Sequence, residues 1–299
     1  MTLHVFATFL TPHGTAANNR GENAGNTTTL QKILWQGKVH STVSAEAIRF
    51  ALRRRLGEWE ECNRTFDEDS RGNRWRDAAF KAWGPKSKDV GFIDDDLLGF
   101  MVAEGAKEEG GKGQTTARRA VLEVTRAVSI GPWPGDVTFN AASPGATPSA
   151  QKKGSNPVPY ATEMHATRYQ YSIALTPSTL RRQERAALAL RALCSLGPVA
   201  GNHGRFLFDF SPESVVFRVT QDPAPRILYA FTETQDRLAA IPDLVRKVVA
   251  GDIAASELVM GGAITESLSG EARENLAGAT LLPGVVAACE AVCTRLTGA

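Results

Sequence analysis

Residues 43–56, VSAEAIRFALRRRL, decide how the rest of the chain is read. Ile48, Ala51, Leu52 and Leu56 recur at the 3.6-residue period of an α-helix and form one apolar stripe. Ser44 stands where a capping hydroxyl belongs, and Gly57 stops the run. A helix with one apolar stripe must lie against another layer, and the flanking sequence offers strands for it. Residues 3–11 alternate and are rich in aromatic and β-branched side chains. Residues 117–130 carry Val121, Leu122, Val124, Ala127 and Val128, and 165–176 set Tyr169, Tyr171 and Ile173 against Arg168, Gln170 and Ser172. Ser178 is expected to cap a second helix running to about Leu196, where Gly197-Pro198 ends it. Residues 205–210 and 214–220 read as a hairpin around Ser211-Pro212-Glu213, 227–231 as one further strand, and 31–39 as a short strand or turn.

The major elements then run β (3–11), α (43–56), β (118–130), β (165–175), α (178–196), β (205–210). This βαββαβ order predicts an α+β, ferredoxin-like fold of the kind RNA-recognition modules use. It holds only if three long segments are insertions. The first, 12–29, is rich in Asn and Gly, which tolerate positive φ and expose backbone N–H groups, so it can wrap an anion. The second begins at Glu58, is mixed in charge and holds Trp59, Trp75 and Trp83, which marks a folded insertion; its end, 104–116, has a disordered composition. The third, 131–159, is rich in Gly, Pro, Ser, Asn and Ala; loops of that length are functional or disordered. Beyond Thr232 the pattern is helical with short breaks.

The 299 residues, 42% hydrophobic and 22% charged, have the composition of a soluble globular protein. Lys and Arg number 34 against 32 Asp and Glu, a net charge of +2, so a histone-like chain is excluded and a polyanion must be met by local clusters. No apolar run reaches membrane-spanning length, and the N-terminus has neither a basic n-region nor a cleavage site, which together predict a cytoplasmic protein. Cys62, Cys194, Cys289 and Cys293 form no CxxC pair.

The chemistry is concentrated in few places. Arg49 and Arg53 share a helix face, Arg54 and Arg55 extend the charge, and Glu58, Glu60 and Glu61 follow. Such a cluster is either a solvated face with local ion pairs or, beside the Asn-rich loop and the N-terminus of the helix at Ser44, a phosphate-binding surface. The loop with Lys152 and Lys153 is either a linker or a hairpin that orders on a nucleic acid strand; Met164 and His165 at its far end are either core or a wedge against bases. The histidines show no HxH or HExxH spacing, Cys289 and Cys293 read as core residues, and no metal or cofactor is expected. Asp94-Asp95-Asp96 is the best candidate for carboxylate chemistry, but Asp before an apolar run is a common cap. No GxSxG, phosphate-binding or dinucleotide motif appears, and no catalytic residue is assigned.

Five segments in order, NNRGENAGN (18–26), VSAEAIRFALR (43–53), DDDLLGFM (94–101), RRAVLEVTRAVSI (118–130) and GRFLFDFSPESVVFRVT (204–220), resemble the CRISPR-associated backbone subunit of type I Cascade complexes, in the DevR-like branch of the RAMP superfamily. The resemblance implies a palm over 1–233 with a finger insertion at 58–116 and a thumb at 131–164, followed by a C-terminal helical region, 234–299. It implies a non-catalytic subunit whose copies stack head-to-tail along the spacer of a CRISPR RNA and, with other Cascade subunits, present it to target DNA. Carried over, Asn18, Asn19, Arg20 and Asn26 would touch guide phosphates, Ser44, Arg49 and Arg53 would line the palm groove, and Met164 would sit by a displaced base. Asn202, His203, Gly204 and Arg205 would form a turn beside the RNA. The alternative within the superfamily is a ribonuclease that cuts RNA through a loop acid such as Asp94–Asp96, or through His13. The historical name of the branch suggests a transcriptional regulator, for which the sequence offers no recognition helix.

Overall fold

The computed structural model describes residues 2–17, 23–84, 87–104, 114–145, 158–200, 207–236 and 239–298. The first third contains β1 (His4–Leu10), the short β2 (Gly14–Ala16), β3 (Asn23–Ala24) and β4 (Thr27–Thr28), a hairpin of β5 (Lys32–Trp35) and β6 (Lys38–Val43), and α1 (Ala45–Leu56). Next come the hairpin β7 (Arg64–Asp67) and β8 (Gly72–Trp75), then α2 (Ile93–Leu98), β9 (Phe100–Glu104) and β10 (Gln114–Arg118). The middle holds β11 (Leu122–Val124), β12 (Ala127–Ser129), β13 (Val137–Ala142), β14 (Val158–Glu163), β15 (His165–Thr167), β16 (Tyr169–Leu175), α3 (Arg185–Cys194) and β17 (Ser214–Thr220). The chain closes with β18 (Thr232–Glu233), β19 (Ala239–Ala240), α4 (Pro242–Val249), β20 (Leu258–Gly262), α5 (Ala263–Ser267), α6 (Gly270–Asn275), β21 (Thr280–Leu282) and α7 (Val285–Thr297).

A mixed α+β architecture is built on one central sheet, ordered β21-β20-β17-β1-β16-β12-β6-β5, with β11 also paired to β16. β1 lies antiparallel between β16 and β17, with Phe9 opposite Tyr171 on one side and Val215 on the other. Both faces are covered. Val5, Ala7, Phe9, Tyr171, Ile173 and Phe217 pack under α1, α3 and α7 through Ile48, Leu52, Leu190, Leu193, Cys289 and Val292. Phe6, Leu10, Val216 and Met260 pack on the other side against Ile227, Phe231, Ile241, Leu244 and Ile264. The alternation of β16 therefore does not mark a solvated face: Gln170 and Ser172 are buried under the second cover.

Several expectations are corrected here. The strand that pairs with β1 is 214–220, and 207–210 is not extended into a ladder; Phe208 and Phe210 instead lay their rings against Tyr169 and Tyr171. No strand forms over 227–231, whose backbone is met by side chains of the sheet: Thr8 donates to the Ile227 carbonyl (2.6 Å), the Tyr229 N–H donates to Ser172 (3.0 Å), and Gln170 both donates to and accepts from Phe231 (2.8 and 3.0 Å). The segment 117–130 breaks into three strands, the first of which pairs with β9. The second helix begins at Arg185 and not at 178, because the N–H groups of Arg181 and Arg182 are bound by the Asp96 carboxylate (3.1 and 3.3 Å). The region after 233 is not only helical: β20 and β21 extend the central sheet beyond β17.

Candidate nucleic-acid interface

The loop after β1 and the insertion at 131–164 come together. β13 and β14 form a hairpin, β14 runs parallel to β4, and β3 completes a small sheet ordered β13-β14-β4-β3. β2 pairs with β15 beside it. Asn26 sits exposed in the turn between β3 and β4, and its carbonyl accepts from the Ala161 N–H at 3.0 Å. Met164, half-buried between β14 and β15, is held by its backbone, through its N–H on the Asp136 carbonyl (3.0 Å) and its carbonyl under the Trp133 indole N–H (2.8 Å). Asn18, Asn19, Arg20, Lys152, Lys153, Asn202 and Arg205 lie outside the described residues, as do His203 and Gly204.

Two assignments are corrected. His165 is not a surface donor: it is buried, its Nδ1 lies 2.7 Å from the Ser41 hydroxyl, and burial pushes its pKa down to about 4, so the ring is neutral at pH 7. The Ser44 hydroxyl caps α1, accepting from the Ala47 N–H at 3.2 Å, and is buried there.

Arg49 and Arg53 do share a face of α1, and that face is turned toward the β7–β8 hairpin and β9. A cavity of about 460 Å³ separates them from the β7–β8 hairpin and from β9. Arg53 is half committed: its Nε donates to Asp94 (3.0 Å), while its buried Nη1 has no hydrogen-bond partner among the described residues. Arg49 makes one long contact, Nη2 to the Leu98 carbonyl at 3.4 Å. Arg64, which no sequence pattern singles out, enters from β7 and lies over the Trp75 ring at 5.7 Å. Burial and the nearby Arg53 hold its pKa below the ordinary arginine range, the sign of guanidinium groups crowded beyond what Asp94 offsets. An arginine 11 residues along the chain gives no periodic signal, so only the folded hairpin reveals it.

The acids next to this cavity are engaged by neighbouring donors. α2 points its three buried carboxylates in different directions. Asp94 takes Arg53 and the N–H groups of Asn63 (2.6 Å) and Arg64 (3.1 Å). Asp95 takes the Asn63 amide (3.0 Å) and the Trp83 indole (3.3 Å), and burial, reinforced by Asp94, lifts its pKa to about 6. Asp96 takes Arg118 (2.7 Å) and Arg185 (2.9 Å). Among the described residues no group of three His, Cys, Asp or Glu could hold a metal ion, and no helix is long and apolar enough to cross a membrane.

The family model of the CRISPR-associated negative auto-regulator DevR/Csa2 matches residues 13–236. A relative from Myxococcus xanthus (strain DK1622), the CRISPR-associated protein Cas7/Cst2/DevR, is 69% identical over 298 residues, 99% of this chain and 98% of that protein. The chain belongs to the DevR/Csa2 family. Its fold is similar to chains of two solved assemblies: a CRISPR RNA-guided surveillance complex (TM-score 0.58, 16% identity, 99% of each chain) and a pre-nicking CRISPR RNA-guided surveillance complex (TM-score 0.59, 14% identity, 99% of this chain and 100% of that one).

Proposed function

We propose that this chain is the CRISPR RNA-binding backbone subunit of a type I Cascade effector complex, working in the cytoplasm in antiviral defence or guided DNA targeting. The observation that carries the reading is the whole-length identity to a Cas7/Cst2/DevR protein. The order β17-β1-β16-β11, with α1 and α3 on one face, supports a ferredoxin-like palm. The finger spans 58–116 and the thumb 131–164. Copies stack head-to-tail along the spacer, other Cascade subunits complete the assembly, and target DNA is met through the guide.

In this reading Asn26 and the open edges of Arg49 and Arg53 grip the sugar–phosphate chain, with Met164 beside a displaced base. Donors of this kind position a strand without reading its sequence. The subunit is non-catalytic in this reading: Asp94 and Asp96 are engaged by Arg53 and Arg118 of the palm, and Asp95 is engaged within the finger by Asn63.

The test is binding of the full chain to two single-stranded RNAs of unrelated sequence across a salt series. Arg49→Glu should weaken both alike and flatten the log–log salt slope by about 0.7 for each phosphate no longer held. A loss confined to one sequence overturns backbone gripping. Magnesium-dependent cutting of complementary RNA by the purified complex, lost in Asp95→Asn, would instead establish a ribonuclease.

A further inference from the structure

A second cavity, of about 530 Å³, lies between the β5–β6 hairpin and the segment that follows Ile227, within the size range of small-molecule sites. Trp35 and Tyr229 form one wall, their ring centroids 5.0 Å apart and inclined at 59°. The Tyr229 hydroxyl donates to the Arg126 carbonyl (2.8 Å), which fixes that ring.

His40, only 6% exposed, also lines the cavity. Its Nδ1 lies 2.7 Å from the Ser129 carbonyl. A carbonyl can only accept, so Nδ1 carries a proton, and the Nδ1–H tautomer offers Nε2 as an acceptor; no partner for Nε2 exists among the described residues. Glu233 adds a carboxylate that has no ion pair or hydrogen bond among the described residues. It closes on Gly131, where a Cβ would come within 2.6 Å of its Oε2, so the glycine makes room for it. Lys38, exposed and without an ion pair among the described residues, stands at the rim.

Two acceptors without donors, an aromatic wall and an ammonium group describe one ligand. The geometry points to a pocket for a single nucleotide whose base carries adjacent N–H donors, guanine before the others, with its phosphate at Lys38. Guanine places a ring N–H beside an amino group, a pair of donors that suits a carboxylate; uracil flanks its one N–H with two carbonyl oxygens, which Glu233 and His40 would repel. Stacking on indole and phenol supplies the sequence-tolerant part of the affinity. This goes beyond gripping a backbone, because it reads a base. The base arrives either on a free nucleotide or turned out of a strand, and the chemistry is common to both.

The test is calorimetric titration of the full chain with GMP, AMP, CMP, UMP and guanosine, and with oligouridine hexamers containing or lacking one guanosine. GMP should bind about tenfold or more tightly than UMP, and Glu233→Gln should erase that margin. Lys38→Ala should weaken GMP toward the affinity of guanosine. A preference seen only with the hexamers, and abolished by Glu233→Gln, assigns the pocket to a base carried by a strand. Equal binding of all four nucleotides and both hexamers, no binding of any, or a preference untouched by Glu233→Gln overturns the proposal. Affinity for oligouridine lacking guanosine should not change in Glu233→Gln, so failure here leaves the guide-gripping role to its own test.

Discussion

Two buried polar clusters hold this molecule together by opposite means. Around α2, charged groups gather: Asp94 meets Arg53, Asp96 meets Arg118 and Arg185, and Arg185 also meets Glu60, with Asp95 buried beside them on Asn63 and Trp83. On the far face of the sheet, Thr8, Gln170 and Ser172 meet the backbone of 227–231 with neutral groups alone. The neutral cluster replaces a missing strand, since each side chain pairs with an N–H or a carbonyl much as a neighbouring strand would. The charged cluster ties segments far apart in sequence, and each of its acids had to leave water. Neutral groups cost less to bury and do not titrate near neutrality; charges cost more, and an uncompensated one costs most.

The largest effect should follow from breaking the charged cluster. Asp96→Ala leaves Arg185, fully buried, with Glu60 as its only carboxylate among the described residues, removes the ion-pair partner of Arg118, which keeps the Thr179 carbonyl, and strips the N–H groups of Arg181 and Arg182 of their acceptor. Removing one partner of a buried pair costs about 3–5 kcal/mol. Urea unfolding should therefore show a loss of that order, and a loss below about 1 kcal/mol would deny the cluster its role.

Next in size is a dependence on pH in which two buried groups oppose each other. The Asp95 pKa lies near 6 in the folded chain, above its ordinary 3.8, so the folded state holds the extra proton and this contribution to stability is lost as pH rises through 6. The His165 pKa lies near 4, below its ordinary 6.5, so here the unfolded state holds the extra proton and stability is gained as pH rises from 4 to 6.5. The opposed slopes largely cancel between pH 4 and 6. Asp95→Asn keeps an oxygen to accept from Asn63 and Trp83 but cannot ionise. Its stability should climb more steeply from pH 4 to 6.5 than that of the parent, by on the order of 2 kcal/mol in total. Parallel profiles from urea midpoints across that range would show that the Asp95 pKa is not raised in the folded state.

The contrast also explains what could be read from the chain. The α1 helix was legible because its signals are local: a cap at Ser44 and a stripe at Ile48, Leu52 and Leu56. Strands β1 and β16 were legible through their apolar positions. Their polar positions misled, since Gln170 and Ser172 look like a solvated face until the segment 227–231 is laid over them. Phe208 and Phe210 alternate as in a strand yet serve as plugs on two tyrosines. The role of Asp96 hangs on Arg118 and Arg185, 22 and 89 residues away, and no spacing rule reaches that far. Of the candidate site, the shared face of the helix arginines was within reach; the joining of the 12–29 loop to the 131–164 insertion, Arg64 and the engagement of Arg53 by Asp94 were decided by tertiary packing.

Smaller still should be damage to the neutral cluster. Gln170→Leu keeps the bulk but orphans the N–H and carbonyl of Phe231, and should cost about 2 kcal/mol, within the range for buried groups left unpaired. Because nothing charged is removed, the deficit should be the same at pH 5 and pH 8. A deficit that varies with pH would mean that the segment 227–231 is held by something other than neutral hydrogen bonds.

The smallest effect separates architecture from binding at a single atom. Ser44→Ala removes one capping hydrogen bond to the Ala47 N–H and should cost about 1 kcal/mol of stability. The hydroxyl is buried and turned to its own helix, so RNA affinity, measured where the variant is fully folded, should match that of the parent. If affinity falls while the unfolding midpoint barely moves, the hydroxyl touches the strand, and the assignment of Ser44 to the helix alone fails.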